Sequence, residues 1–261
     1  MSRVIEVVFL VFAQLAVGGT ALLGLEALKT VGIGFYRLIA SVFLVVLGIG
    51  LWAMPGEMGW TPIPFFLFAG LLFIYNLYLW VDGAAPGIPF LRATATVGVI
   101  AVLLSALRYV DPAALPIRAA LLAASFLLSS LVLGAGVLGM LLGHSYLTRP
   151  ALSIVPLKRL STLFLRLVLA EAFLSLFNLL AIPHNDRFWG ALLLSNFEGL
   201  YLWIRLLIGI AGPVLLAWMV IQTVAERATM SATGLLYIAM VMVMVGEVFS
   251  RFFLLVDSLF L

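Results

Sequence analysis

IRAALLAASFLLSSLVLGAGVLGMLLGHS, residues 117–145, decides the fold. Between Arg118 and His144 lie 25 consecutive residues without an ionisable side chain. A helix rises about 1.5 Å per residue and the hydrocarbon core of a bilayer is about 30 Å thick, so roughly 20 such residues suffice to cross it. In lipid only a helix or a closed barrel satisfies every backbone N–H and C=O, and barrel strands alternate apolar with polar residues. This run is continuous. It predicts a membrane-spanning helix.

Seven further runs of the same kind surround it, at 4–28, 33–54, 62–82, 88–108, 157–183, 191–222 and 232–258. Between them stand helix-ending stretches: MPGEMGWTP at 54–62, DGAAPGIP at 82–89, DPAALP at 111–116, LTRPALSIVP at 147–156 and PHND at 183–186. The expectation is an all-α integral membrane protein with eight transmembrane helices. Composition agrees. Of 261 residues 65% are hydrophobic and 10% charged, and the mean hydropathy is +1.28. So few charges cannot cover the surface of a water-soluble domain, and little chain is left for anything outside the membrane. With no Cys, this chain alone holds no thiolate-bound iron–sulfur cluster, c-type haem, disulfide or Cys-ligated metal. A net charge of +3 is too small to point to nucleic acid.

An even number of spans puts both termini on one side. Lys29, Arg37, Arg92, Arg149, Lys158, Arg159 and Arg227 fall on the opposite side, against Arg3, Arg108, Arg118 and Arg187 on the terminal side, with Arg251 a turn or two inside the last span. The positive-inside rule then predicts non-cytoplasmic termini in a cytoplasmic (inner) membrane. The first span does not read as a cleaved signal peptide: it is long, carries Glu26 and Lys29 at its far end and lacks a small-x-small site.

FAQLAVGGTALLGL at 12–25 overlays LSSLVLGAGVLGML at 128–141 in its polar pair, its Gly and its aliphatics. Small residues at helical spacing let helix backbones approach closely. One reading is a pair of similar four-helix bundles, residues 1–110 and 111–261. The other is that any two Leu/Gly-rich spans align this well.

A charge near the bilayer centre costs about 3 kcal/mol on insertion scales, so intramembrane ionisable residues are where function is sought first. Helical spacing places Glu171, Ser175 and Asn178 on one stripe, Glu198, Tyr201 and Arg205 on another, and Glu247, Ser250 and Arg251 on a third. Converted to depth at about 1.5 Å per residue, Gln14, Asn178, Glu198, Glu247 and Arg251 fall in the terminal-side leaflet. Arg166, Glu171 and Arg205 lie nearer the centre. There they either continue a polar path across the membrane or form ion pairs that fix helix register.

His144 and His184 end spans five and six on opposite faces, about 40 Å apart at helical rise. They cannot share one haem, which excludes a bis-His b-type haem held by this chain alone. His144 reads as an interfacial cap; His184, with Asp186 nearby, suits a proton acceptor or a hydrogen-bond partner. No GxSxG, Walker A, HExxH or GxGxxG element stands in its required context. No metal site is expected.

VFLVFAQLAVGGTALLGLEALK at 8–29 resembles the first span of the membrane anchor subunit of dimethyl sulfoxide reductase, an apolar helix with a Gln followed shortly by Gly. GEVFSRFF at 246–253 resembles the Gly-Glu-x-x-x-Arg element of that family's last span. The eight spans, two bundles and outward termini are also similar to NrfD-like and polysulfide reductase membrane subunits. The resemblance touches Gln14, Gly18, Glu247 and Arg251. The His-Leu-Gly-Arg-Pro type segment of the family's first bundle has no counterpart there; the nearest string is GHSYLTRP at 143–150. The resemblance implies a haem-free subunit that binds menaquinone or ubiquinone near the outer face and passes electrons to or from an iron–sulfur subunit.

The leading expectation is therefore a quinone-interacting membrane subunit of a multi-subunit oxidoreductase, without the catalytic centre itself. Its site would comprise Gln14, His184, Glu198, Tyr201, Glu247 and Arg251. Glu247 and Glu198 would accept protons, His184 or Gln14 would hydrogen-bond a carbonyl, and Arg251 would keep Glu247 ionised. Arg166, Glu171 and Arg205 would continue a proton path. Partners would be the lipid bilayer, an iron–sulfur or cytochrome subunit on the non-cytoplasmic side, and room for other membrane subunits. Two other readings stay open: a proton-coupled small-molecule or ion transporter, and a purely structural anchor.

Overall fold

The computed structural model describes residues 2–54, 56, 59–81, 85–110, 116–149, 152–181, 189, 192–194 and 197–257, without the side chains of residues 2, 26, 27, 181, 197, 198 and 257. Among these residues the regular elements are all helical. They are α1 (Ser2–Leu23), a 3₁₀ turn (Glu26–Val31), α2 (Ile33–Trp52), α3 (Ile63–Val81), α4 (Ile88–Leu107), α5 (Pro116–Thr148), α6 (Val155–Ala181), α7 and α8 (Thr229–Asp257). α7 is composite: α-helical Phe197–Trp203, π-helical Ile204–Ala211 and α-helical Gly212–Ala225. Eight helices are long and apolar enough to cross a membrane. The protein is an all-α multi-pass membrane protein.

The helices close into two rings. In the first, α1 packs on α2, α2 on α3, α3 on α4 and α4 back on α1; in the second, α5 packs on α6, α6 on α7, α7 on α8 and α8 back on α5. The rings meet mainly through α1 and α5, with α1 also touching α8 and α4 touching α5. α1 and α5 are accordingly the most enclosed spans, 67% buried, and α6 is the least, at 28%.

Glycine sets the seam between the rings. A Cβ on Gly18 would stand 1.7 Å from the carbonyl oxygen of Ser130, and one on Gly134 would stand 2.3 Å from the carbonyl carbon of Gly18. Main chains in such contact exclude any side chain. Gly18 and Gly134 are the glycines that match when 12–25 is laid over 128–141, so the two similar stretches cross at their equivalent points.

Two departures from the sequence reading have local causes. The first span ends at Leu23 rather than near 28, because the chain tightens into the 3₁₀ turn, which buries Leu28 and Val31. Gly32 then reverses direction at φ +100°, a conformation that favours glycine. Span seven reads as one helix interrupted only at Gly212 and Pro213, yet its π-helical stretch runs back to Ile204. Pro213 has no N–H to give the carbonyl of Gly209, and its ring crowds that carbonyl. The chain answers by widening through the preceding turn.

Candidate functional site

Four fully or nearly buried charged side chains meet inside the second ring. Arg205, in the π-helical part of α7, donates from Nη2 to Glu171 Oε1 of α6 and from Nη1 to Glu247 Oε1 of α8, both at 2.8 Å. One turn beyond Glu247, Arg251 approaches Glu247 Oε2 at 3.5 Å. Its Nε donates to Gln14 Oε1 of α1 at 3.0 Å, which carries the network into the first ring. The Arg251 guanidinium lies 4.2 Å from the centre of the Phe126 ring of α5, a cation–π contact that strengthens where water is excluded. Ser129, one turn further along α5, reaches Glu171 Oε1 at 3.5 Å. Arg205 and Arg251 are 1% and 0% exposed, Glu247 0% and Glu171 5%. Two carboxylates and two guanidiniums cancel, so no net charge is buried.

Backbone geometry brings these groups together. Gly209 of α7 and Gly246 of α8 touch: a Cβ on Gly246 would stand 2.3 Å from the Cα of Gly209 and 3.2 Å from Arg205 Nη1. Without side chains at this crossing, Arg205 can lie across α8 beside Glu247. Pairing is also demanded by energetics, because leaving one member of a buried ion pair alone costs about 3–5 kcal/mol.

Donors remain over. Gln14 Nε2, Arg251 Nη1 and Arg205 Nε are buried and have no hydrogen-bond partner among the described residues; the same holds for both amide atoms of Asn178. Buried polar atoms without partners are unusual and point to water or a ligand.

The network approaches the terminal-side surface through an aromatic step. The Phe126 ring lies 5.9 Å from that of Tyr109, and the Tyr109 hydroxyl donates to Glu6 Oε1 at 2.7 Å. Burial, and then the Glu6 carboxylate, push the Tyr109 phenol well above its ordinary value, so it stays a donor at neutral pH. Neither Glu6 nor Tyr109 stood out in the sequence, since a Glu and a Tyr near helix ends read as ordinary interface residues.

Of the residues expected to form a site, Gln14, Glu171, Arg205, Glu247 and Arg251 come together. Arg205, expected on a separate path, is the centre of the cluster, and its contact with Glu247 is tighter than that of Arg251. Tyr201 stands apart from the ions, stacked on Phe249 at 5.4 Å and edge-on to Phe252 at 5.6 Å. Arg166 is exposed on the outer side of α6 and does not join the cluster. His184 and the side chain of Glu198 lie outside the described residues. His144 is exposed at the end of α5, as an interfacial residue should be. Among the described residues no group of His, Asp and Glu has the arrangement of a metal site. Compared with models of protein families and with curated proteins, the chain matches none.

Proposed function

We propose that this chain is a quinone-interacting membrane subunit of an electron-transfer complex, with the Gln14–Arg251–Glu247–Arg205–Glu171 cluster as its proton-handling site. The observation that carries the reading is the pair of unpartnered buried donors, Gln14 Nε2 and Arg251 Nη1, beside a carboxylate and an aromatic ring. Such donors fit a carbonyl oxygen, and the carboxylates fit the protons that accompany it. A quinone would supply a two-electron carrier whose reduction and oxidation take up and release protons. The resemblance of 8–29 and 246–253 to the anchor subunit family supports the same reading, as does the position of Gln14 and Arg251 within those two stretches.

Within the cluster the chain's own residues divide the work. Gln14 and Arg251 orient the carbonyl. Glu247, held by both arginines, keeps the negative charge that holds those arginines in place. Glu171 makes its ionic contact with one arginine only and is the most exposed of the four, so it is the better proton acceptor. Because the cluster is neutral, adding a proton leaves one positive charge in a low-dielectric interior. Proton uptake is therefore favoured when negative charge arrives with it. Glu6 and Tyr109 connect the site to the terminal-side surface, and the excess of Lys and Arg on the other face supports reading that surface as the outside.

Titrating the purified chain with a short-chain quinone tests the reading. Saturable binding is expected, weakened about three- to tenfold in Gln14→Leu, the effect of one hydrogen bond. Binding that does not saturate, or that ignores Gln14, would sink it. In the native complex, Glu171→Gln should slow quinol-dependent electron transfer while assembly is kept.

A second reading, a proton-coupled carrier, is favoured by one feature: the π-helical interruption of α7 at Arg205, since carriers place irregular helix at their binding sites. Solute uptake into proteoliposomes driven by a proton gradient, with no redox partner present, would select it instead.

A further inference from the structure

Arg166 lies on the wrong side of its helix for the cluster and at the wrong depth for water. α6 crosses the membrane over Val155–Leu180, and Arg166 is within about 3 Å of the middle of that span at 1.5 Å per residue. At about 100° per residue, the buried residues Phe164, Val168, Glu171 and Ser175 face one side of the helix. Arg166 points the opposite way. It is exposed, and among the described residues it has no hydrogen bond or ion pair. Leu169, Phe173, Leu176, Phe177 and Leu180, all well exposed, continue its stripe toward the terminal side.

Snorkelling does not resolve this. Arg159, on the same stripe at the opposite-side end of the helix, is seven residues away, about 10 Å along the axis. The stem of an arginine is shorter than that, so a guanidinium starting at mid-span falls short of the Arg159 level even when it bends toward that surface. An unpaired cation in hydrocarbon is disfavoured, and intramembrane charges almost always find a partner.

The geometry points to α6 as a docking face for a transmembrane helix of another chain that carries an Asp or Glu at mid-depth, paired with Arg166. Charge complementarity selects this occupant. A second copy would set Arg166 against Arg166, and among the described residues no carboxylate faces outward at that depth: Glu171 and Glu247 are buried and Glu6 sits near the end of its span. α6 is also the least enclosed of the eight spans, so it has the most surface left to cover. The large apolar residues along the stripe suit a partner helix with small residues opposite Phe173 and Phe177.

A defined probe tests the proposal without the native partner. A labelled Leu/Ala peptide of about 24 residues, long enough to span a bilayer, with one central Glu, is mixed with the full-length protein in zwitterionic liposomes, and association is read by energy transfer. The Glu peptide is expected to bind wild type at least tenfold more tightly than its Gln counterpart, and Arg166→Leu to remove that difference while Arg166→Lys keeps it. Equal binding of the two peptides, or a preference that survives in R166L, overturns the proposal. Because Arg166 is exposed and makes no hydrogen bond or ion pair among the described residues, R166L should retain the wild-type thermal transition in detergent. If it does not accumulate, Arg166→Gln replaces it with the same expected loss. Fluorescence quenching from the headgroup region supplies a separate check: a label at position 166 at headgroup depth would overturn the proposal too.

Discussion

The two rings have the same helix count and the same closure, but they solve the burial problem differently. The buried polar residues of the first ring are neutral, among them Gln14, Thr20, Thr61, Asn76, Thr94 and Ser105. They are used locally: Asn76 of α3 and Ser41 of α2 exchange hydrogen bonds at 3.1 and 3.3 Å, and Tyr75 donates to the carbonyl of Pro86 at 2.7 Å. Gln14 is engaged across the seam by Arg251 of the second ring. Every fully buried charge among the described residues lies in that second ring. Four helices close into the first ring without a buried ion among the described residues, so ring closure by itself does not call for the ions of the second.

The largest test of that contrast is Arg205→Leu. It strands the buried carboxylate of Glu171, leaves Glu247 only its 3.5 Å contact with Arg251, and should destabilise the protein by about 3–5 kcal/mol or prevent accumulation. Arg37 of the first ring donates to the carbonyl of Leu79 at 2.9 Å and is only half-buried. Its Leu variant should cost about 1 kcal/mol. Equal losses in detergent unfolding would break the distinction between the rings.

A smaller effect should come from the seam. Gly18→Ala or Gly134→Ala forces the main chains of α1 and α5 apart and should cost about 1–3 kcal/mol, the usual penalty of overpacking. Gly48 and Gly70, where a new Cβ meets nothing, provide the control. Alanine there should be neutral or stabilise by about 0.5–1 kcal/mol, since glycine weakens a helix interior. Smaller still is Asn76→Leu, expected at about 0.6 kcal/mol from the interhelical average in membranes.

The smallest effect is a pH effect. The raised Tyr109 phenol stays protonated in the folded chain after it ionises in the unfolded one. Its contribution is complete below about pH 10 and is lost as pH rises above that value. Thermal scans between pH 9 and 11, a range flanking the phenol's ordinary value of about 10, should show an alkaline loss that Tyr109→Phe reduces.

The eight spans are legible in the sequence because hydropathy and Pro/Gly punctuation act locally, and most helix ends fall within a few residues of the expected places. The polar stripes at Glu171, Arg205 and Glu247 are legible for the same reason, since spacing of three or four is a property of one helix. Which stripes face each other is not. Helix order around a ring depends on packing, and the glycine contacts at Gly18–Gly134 and Gly209–Gly246 acquire meaning only when the partner helix is known. The orientation of Arg166 illustrates the limit. Its depth could be computed from its number, but its direction requires knowing which face of α6 the neighbours cover.

The members of the cluster are also made in a fixed order. Charges arrive at the membrane as Glu171, Arg205, Glu247 and Arg251, alternating in sign along the sequence, with Arg205 following Glu171 by 34 residues and Glu247 following Arg205 by 42. Each newly made helix thus delivers the counter-ion for a charge that the ribosome has already released, a wait of a few seconds at about 5–20 residues per second. Gln14 waits longest, 237 residues for Arg251. Being neutral, it is the member of the network that can best sit unpartnered in lipid until Arg251 arrives.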